Sequence, residues 1–131
     1  MSAVLDASLA VEYLLRTDLG CRAAPLLERE TLVAPELLDV EVFAVIRRAL
    51  LNREINLGRA KEALEDLESW DIERVSHKSL LQIAWQYRDN VSGYDSFYVA
   101  TAALYDSPLL TADGPLSRAP GIGIVVQNLR L

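Results

Sequence analysis

Two short apolar runs of this sequence meet an aspartate: Val4-Leu5 runs into Asp6, and Leu110-Thr111-Ala112 into Asp113. A third, Asp95, is set among Tyr94, Phe97, Tyr98, Val99 and Ala100. Glu41 has Leu37, Leu38, Ala44 and Val45 three and four positions away, so in a helix it lies on an apolar stripe and faces protein. No lysine or arginine stands one turn before it, Arg48 is two turns on, and burying an unpaired carboxylate is costly. If the four acids gather, two charges about 5 Å apart repel by roughly 3 kcal/mol at an effective dielectric of ~20. Such a cluster is partly protonated or metal-bound. An all-oxygen donor set suits Mg²⁺ or Mn²⁺ better than Zn²⁺. Ions held there would bind phosphate oxygens, lower the pKa of a water and stabilise a leaving oxygen, so phosphodiester hydrolysis is the natural chemistry. Each acid also has a plainer role. Asp6 and Asp113 can be helix N-caps, Asp95 can complement a helix dipole, and Glu41 can be an edge residue that keeps its head in solvent. Glu36 and Asp39 read as solvated or capping residues.

The elements that must position these groups alternate in type. Ala3-Val4-Leu5 reads as a strand, and Leu9, Ala10, Tyr13 and Leu14 fall on one face of the helix after it. A second helix is expected over 20–30, with Pro25 beginning a new turn, then a strand over 31–34. Pro35 suits the first turn of a helix running to about Leu51. Asn56 can cap a helix over 57–70, residues 72–75 form a strand, and Ser76 can cap a helix carrying Leu80, Leu81, Ala84 and Tyr87. A mostly buried helix over 94–105, a strand over 108–111, a short helical turn from Asp113-Gly114-Pro115 and a last strand over 124–126 complete the chain. This rhythm predicts an α/β fold with a central parallel sheet covered by helices on both faces through right-handed crossovers. Such sheets bind ligands at the carboxyl ends of their strands, so Asp6 and Asp113 should emerge at one rim.

With 131 residues, 51% hydrophobic and 24% charged, the composition fits one globular domain over 1–131, neither disordered nor coiled coil. No apolar run approaches the ~20 residues of a membrane span, and the start lacks a basic region, so the expectation is a soluble, cytoplasmic protein. One cysteine, Cys21, and one histidine, His77, exclude an internal disulfide and a Cys/His zinc cage. The net charge of −6 argues against tight, general nucleic-acid binding but not against a nuclease whose acids hold metal ions.

Other residues invite weaker readings. Arg47, Arg48, Arg53, Arg59 and Lys61 could grip phosphates, although Glu54, Glu62 and Glu65 among them also describe a mixed solvated face. Arg16, Arg22 and Arg118 are alternatives. Trp70, Trp85 and Tyr87 read as packing residues before base-stacking ones, Cys21 as a small packing residue, and His77 as a poor candidate for a general base.

Four segments stand in the order of a known family. They are Val4-Leu5-Asp6-Ala7-Ser8, the helix from Ala34 to Val42 bearing Glu41, Tyr94-Asp95-Ser96-Phe97-Tyr98-Val99-Ala100, and Leu110-Thr111-Ala112-Asp113. Over almost its whole length the chain resembles a PIN domain, and more narrowly the VapC toxins of VapBC toxin–antitoxin pairs. The resemblance implies a PIN-like three-layer fold and a Mg²⁺- or Mn²⁺-dependent endoribonuclease. It places Asp6, Glu41, Asp95 and Asp113 in the catalytic site, Asp6, Asp95 and Asp113 on the metal, and the hydroxyls of Ser8 and Thr111 in support. It further implies a homodimer, a VapB-type antitoxin occupying the cleft, and structured RNA such as tRNA or rRNA as substrate. Many members carry another acidic or amide residue shortly after the fourth acid. This chain has Gly114, Pro115, Leu116 and Ser117 there, so a second metal position does not follow.

Two competing readings stand beside that one. Phosphoryl transfer through an aspartyl phosphate needs neighbouring acids or Asp-x-Asp and a positioned lysine, which Asp6-Ala7-Ser8 does not offer. A non-catalytic PIN-like binding module would keep the acidic pocket to hold a partner's arginine.

Overall fold

In the computed structural model, which describes residues 1–130, five strands form one parallel sheet in the order β3-β2-β1-β4-β5. They are β1 (Ser2–Leu5), β2 (Thr31–Pro35), β3 (Ile72–Val75), β4 (Leu109–Thr111) and β5 (Val126–Asn128). The helices are α1 (Ala7–Leu14), α2 (Asp18–Arg29), α3 (Leu37–Leu51), α4 (Leu57–Ser69), α5 (His77–Trp85), α6 (Gly93–Tyr105) and the single turn α7 (Gly114–Ser117). From β1 the chain winds outward through β2 to β3, then crosses back to place β4 on the other side of β1. The order therefore reverses between β1 and β4, and a crevice opens beyond the carboxyl ends of strands at such a switch point.

Burial follows from that position. Ala3, Val4 and Leu5 of the central strand are all buried, as are Leu109 and Leu110 beside them, because helices cover both faces of a parallel sheet. On β2 successive side chains part company. Leu32 and Ala34 join the larger core with α1 to α4, whereas Val33 packs with Val75, Leu80, Ala84 and Ala100 under α5 and α6. Leu38, Val42 and Ile46 form the buried stripe of α3, each worth about 1.5–3 kcal/mol of apolar burial. Glu41 flanks that stripe and is carried with it. Gly20 lets α2 approach α1 closely, since a Cβ there would lie 2.0 Å from the Glu12 carbonyl oxygen.

Asn56 and Ser76 cap α4 and α5 as expected, accepting from the Arg59 and Lys78 amides at 2.8 and 3.3 Å. Four local expectations need correction. Pro35 is the last residue of β2, where its missing N–H costs nothing at the strand end, and α3 starts at Leu37. The α2 helix begins earlier, at Asp18, because Thr17 accepts the Gly20 amide at 3.1 Å, and Pro25 lies inside the helix with its ring exposed. Leu81 is exposed, and α5 stops at Trp85, so Tyr87 packs on the core from a turn. The last strand is Val126–Asn128, because Gly121 and Gly123, at φ +70° and +66°, carry the turn further than expected and leave Val125 exposed. Among the described residues no helix is long and apolar enough to cross a membrane.

Candidate active site

Asp6 leaves β1 in extended geometry, and its amide donates to the Leu110 carbonyl of β4 at 3.0 Å. It occupies the N-cap position of α1, but its side chain makes no capping bond. Instead Oδ2 accepts the Ser8 hydroxyl at 2.6 Å and the Thr111 hydroxyl at 2.7 Å. With both protons committed to Asp6, the 3.1 Å approach of the two hydroxyl oxygens is a contact rather than a third bond. Their lone pairs are used as well: Ser8 Oγ accepts the Ala112 amide at 3.0 Å and Thr111 Oγ1 the Asp113 amide at 2.9 Å. Five residues thus lace the end of β1 to the end of β4. Asp6 is only 5% exposed, and burial pushes its carboxyl above the usual aspartate value, against the pull of the two hydroxyls. The charge of Asp113 pushes the same way.

The helices bring the other acids. Tyr98, fully buried on α6, donates its hydroxyl to Glu41 Oε1 on α3 at 2.6 Å. Burial raises the Glu41 carboxyl, the Tyr98 bond lowers it, and the charges of Asp6 and Asp95 raise it again. Burial and the Glu41 carboxylate together hold the Tyr98 hydroxyl far above its ordinary value, so it stays a donor. Ser92 caps α6 by accepting the Asp95 amide at 3.2 Å, which sets Asp95 in the first turn. Its carboxyl is raised by burial first and then by Asp6 and Asp113. Asp113 takes the N-cap position of α7 without a side-chain capping bond.

Asp6, Ser8, Glu41, Asp95 and Asp113 line one cleft of about 370 Å³, together with Glu12 and Arg130, and Thr111 lies beneath it through its bond to Asp6. None of the four expected acids is within 4 Å of a lysine, arginine or histidine nitrogen among the described residues. Nor do any three His, Cys, Asp or Glu side chains there already converge into a metal cage. The cleft thus gathers several carboxyls, of which Asp6, Glu41 and Asp95 have raised proton affinity, an arrangement that attracts a hard cation or a guanidinium.

The remaining candidates lie elsewhere. Arg47, Arg48, Arg53 and Lys61 are exposed off the cleft lining, and Arg59 is held by Glu62 and the Leu14 carbonyl. Arg16 pairs with Glu62 and Asp66. Asp39, expected as solvated or capping, forms an ion pair with Arg74 at 3.1 Å and so ties α3 to β3; its partner was 35 residues distant and gave no local signal. Trp70 stacks on Tyr13 at 4.6 Å, whereas Trp85 is 65% exposed with the Arg88 guanidinium over its ring. His77 packs against Phe97, and Cys21 is exposed on a groove between α1, α2 and α4. Reading the sequence missed Tyr98, Glu12 and Arg130. Tyr98 had a legible signal, because a tyrosine one turn after Asp95 on a buried helix needs a partner for its hydroxyl.

The profile of the PIN domain family matches residues 3–122 of this chain. Ribonuclease VapC1 of Mycobacterium tuberculosis is 43% identical over 98 residues, which is 74% of each chain. Ribonuclease VapC12 of the same organism is 37% identical over 118 residues, 90% of this chain and 92% of its own. Among solved structures, VapBC2 from Rickettsia felis bound to a DNA fragment from their promoter superposes with a TM-score of 0.62 at 13% identity. FitAcB from Neisseria gonorrhoeae does so with 0.61 at 18%. Each alignment covers 98% of both chains, and at these identities the likeness is one of fold.

Proposed function

This chain belongs to the PIN domain family, and from that premise we propose that it is the toxin of a type II toxin–antitoxin pair, a metal-dependent endoribonuclease. The observation that carries the reading is the cleft at the β1/β4 switch point. There four carboxyls line one cleft, none with a cationic nitrogen within 4 Å among the described residues, and the most buried of them is held by two hydroxyls. The two relatives named as ribonucleases supply the substrate class.

The donor set fits Mg²⁺ or Mn²⁺, being all oxygen. Mg²⁺ keeps several of its waters and needs only one or two direct carboxylates, so acids that stand slightly apart are compatible with it. Asp6, Asp95 and Asp113 would hold the ion directly or through water. The bound ion would supply charge to offset the phosphate oxygens and a water of lowered pKa. Asp6, with Oδ2 occupied by Ser8 and Thr111, presents its other oxygen in a fixed orientation. Glu41, with Oε1 held by Tyr98, keeps Oε2 to orient the attacking water and take its proton. The water oxygen joins phosphorus, the bond from phosphorus to the leaving oxygen breaks, and that oxygen collects a proton from solvent.

A VapB-type antitoxin would block this cleft, RNA such as tRNA or rRNA would be the substrate, the chain would act as a homodimer, and the cytoplasm is the compartment we assign. The absence of a ready cage also favours a second reading, a binding module whose acids clasp a partner's arginine by charge-assisted hydrogen bonds. Turnover separates the two. Asp6→Asn and Asp95→Asn, each shown by circular dichroism to be folded, are expected to lose Mn²⁺-dependent RNA cleavage by about a hundredfold or more. Undiminished cleavage by either variant would refute the assignment, and a wild-type chain that never cleaves RNA would leave the binding module.

A further inference from the structure

The one guanidinium on the lining of the acidic cleft belongs to Arg130. It is placed there by the chain turning back over the end of β4. The Leu129 amide donates to the Thr111 carbonyl at 2.9 Å, the Arg130 amide to Asn128 Oδ1 at 2.9 Å, and Arg130 Nε to the Ala112 carbonyl at 3.1 Å. Ala112 in turn gives its amide to Ser8, which holds Asp6. A short chain of hydrogen bonds thus fixes this cation relative to the most buried acid. Among the described residues, Arg130 makes no ion pair within 4 Å, and its Nη1 and Nη2 donors have no bonded acceptor.

A guanidinium pinned through Nε keeps its outer N–H groups for a planar or tetrahedral oxyanion, and phosphate is the group that arginine binds in this way. A polyanion entering a cleft of carboxylates is repelled everywhere except at this residue. The other arginines considered above stand off the lining: Arg16 and Arg59 are engaged in ion pairs, and Arg118 lies over Gly114 beside Asp113, outside the cleft that Arg130 lines. We propose that Arg130 binds a backbone phosphate of the RNA next to the scissile one, positioning the strand across the acids. This assignment rests on the nuclease reading, because it supposes an RNA strand in the cleft.

The test uses the full chain carrying Asp95→Asn, so that a labelled single-stranded RNA oligonucleotide stays intact in Mg²⁺ buffer while its anisotropy reports binding over a salt series. Adding Arg130→Gln is expected to weaken binding on the order of tenfold at low salt. It should also flatten the slope of log affinity against log salt by about 0.7, the share of one phosphate on a single strand. Arg130→Lys, which keeps the charge, should retain the parent slope. Equal affinity and slope for parent and Arg130→Gln would overturn the assignment. So would an equal loss in the Gln and Lys variants, which would mean that Arg130 only braces Ala112. A folded Asp95→Asn parent that binds no RNA at any salt would instead sink the nuclease reading beneath it.

Discussion

The cleft has two sides built on different principles. On the sheet side, Asp6 is 5% exposed, accepts two hydroxyls, and belongs to a network in which each hydroxyl both donates and accepts. On the helix side, Glu41 is half-buried with a single bond from Tyr98, and Asp95 is half-buried in the first turn of α6. One side is preorganised by strand ends that the parallel ladder already fixes. The other rests on side chains carried by two packed helices, held by fewer hydrogen bonds. The strand ends thus fix one side through the backbone, and helix packing fixes the other through side chains.

Thr111→Val should break the contrast most severely. It removes one donor from Asp6 and one acceptor from the Asp113 amide, both buried or nearly so. Second partners of metal-binding groups typically matter by 10–100-fold, and we expect a loss in that range in RNA cleavage. Chemical denaturation should show a loss of about 1–3 kcal/mol. Tyr98→Phe tests the softer side and should cost less, about 1 kcal/mol in stability and roughly fivefold in rate. Because the Tyr98 bond lowers the Glu41 carboxyl, its loss should move the acid limb of the pH–rate profile to higher pH. An unmoved limb would mean that Glu41 does not take the proton.

A smaller effect concerns stability without metal. Asp6, Asp95 and Glu41 all titrate above their ordinary values of 3.8, 3.8 and 4.5 in the folded chain. A raised carboxyl binds its proton more tightly when folded. Its contribution is therefore full below the ordinary value and is lost as pH rises through the higher folded one. The metal-free chain should melt at progressively lower temperature as pH climbs from about 4 towards neutrality. Saturating Mn²⁺ should restore the neutral-pH value, and Asp6→Asn should flatten the trend. An identical pH trend in wild type and Asp6→Asn would assign it to other groups.

How much of this was legible before the structure depended on the range of each interaction. Asp6 and Asp113 announced themselves because an apolar strand followed by an acid is a local pattern, and strand ends in a parallel sheet share one rim. Asn56 and Ser76 were legible as caps, since a cap is satisfied within three residues. Glu41 drew attention by sitting on an apolar stripe, but its bond to Tyr98 spans 57 positions and depends on how α3 and α6 pack. The Asp39–Arg74 pair was hidden for the same reason. Arg130 was invisible because its place follows from β5 starting two residues later than the β-branched run Ile124-Val125-Val126 suggested. The hydroxyls of Ser8 and Thr111 entered through family resemblance alone. Their reciprocal use of both protons and lone pairs is a property of two strand ends meeting, 103 residues apart.

As proposed above, these separated carboxyls form one pocket for a hard divalent cation. A crystal soaked in Mn²⁺ and measured for anomalous scattering tests it directly. A peak is expected in the cleft within bonding distance of an Asp6 oxygen, with Asp95 or Asp113 bound directly or through water. A fully soaked crystal with no peak there, or with manganese only at other surfaces, would contradict it.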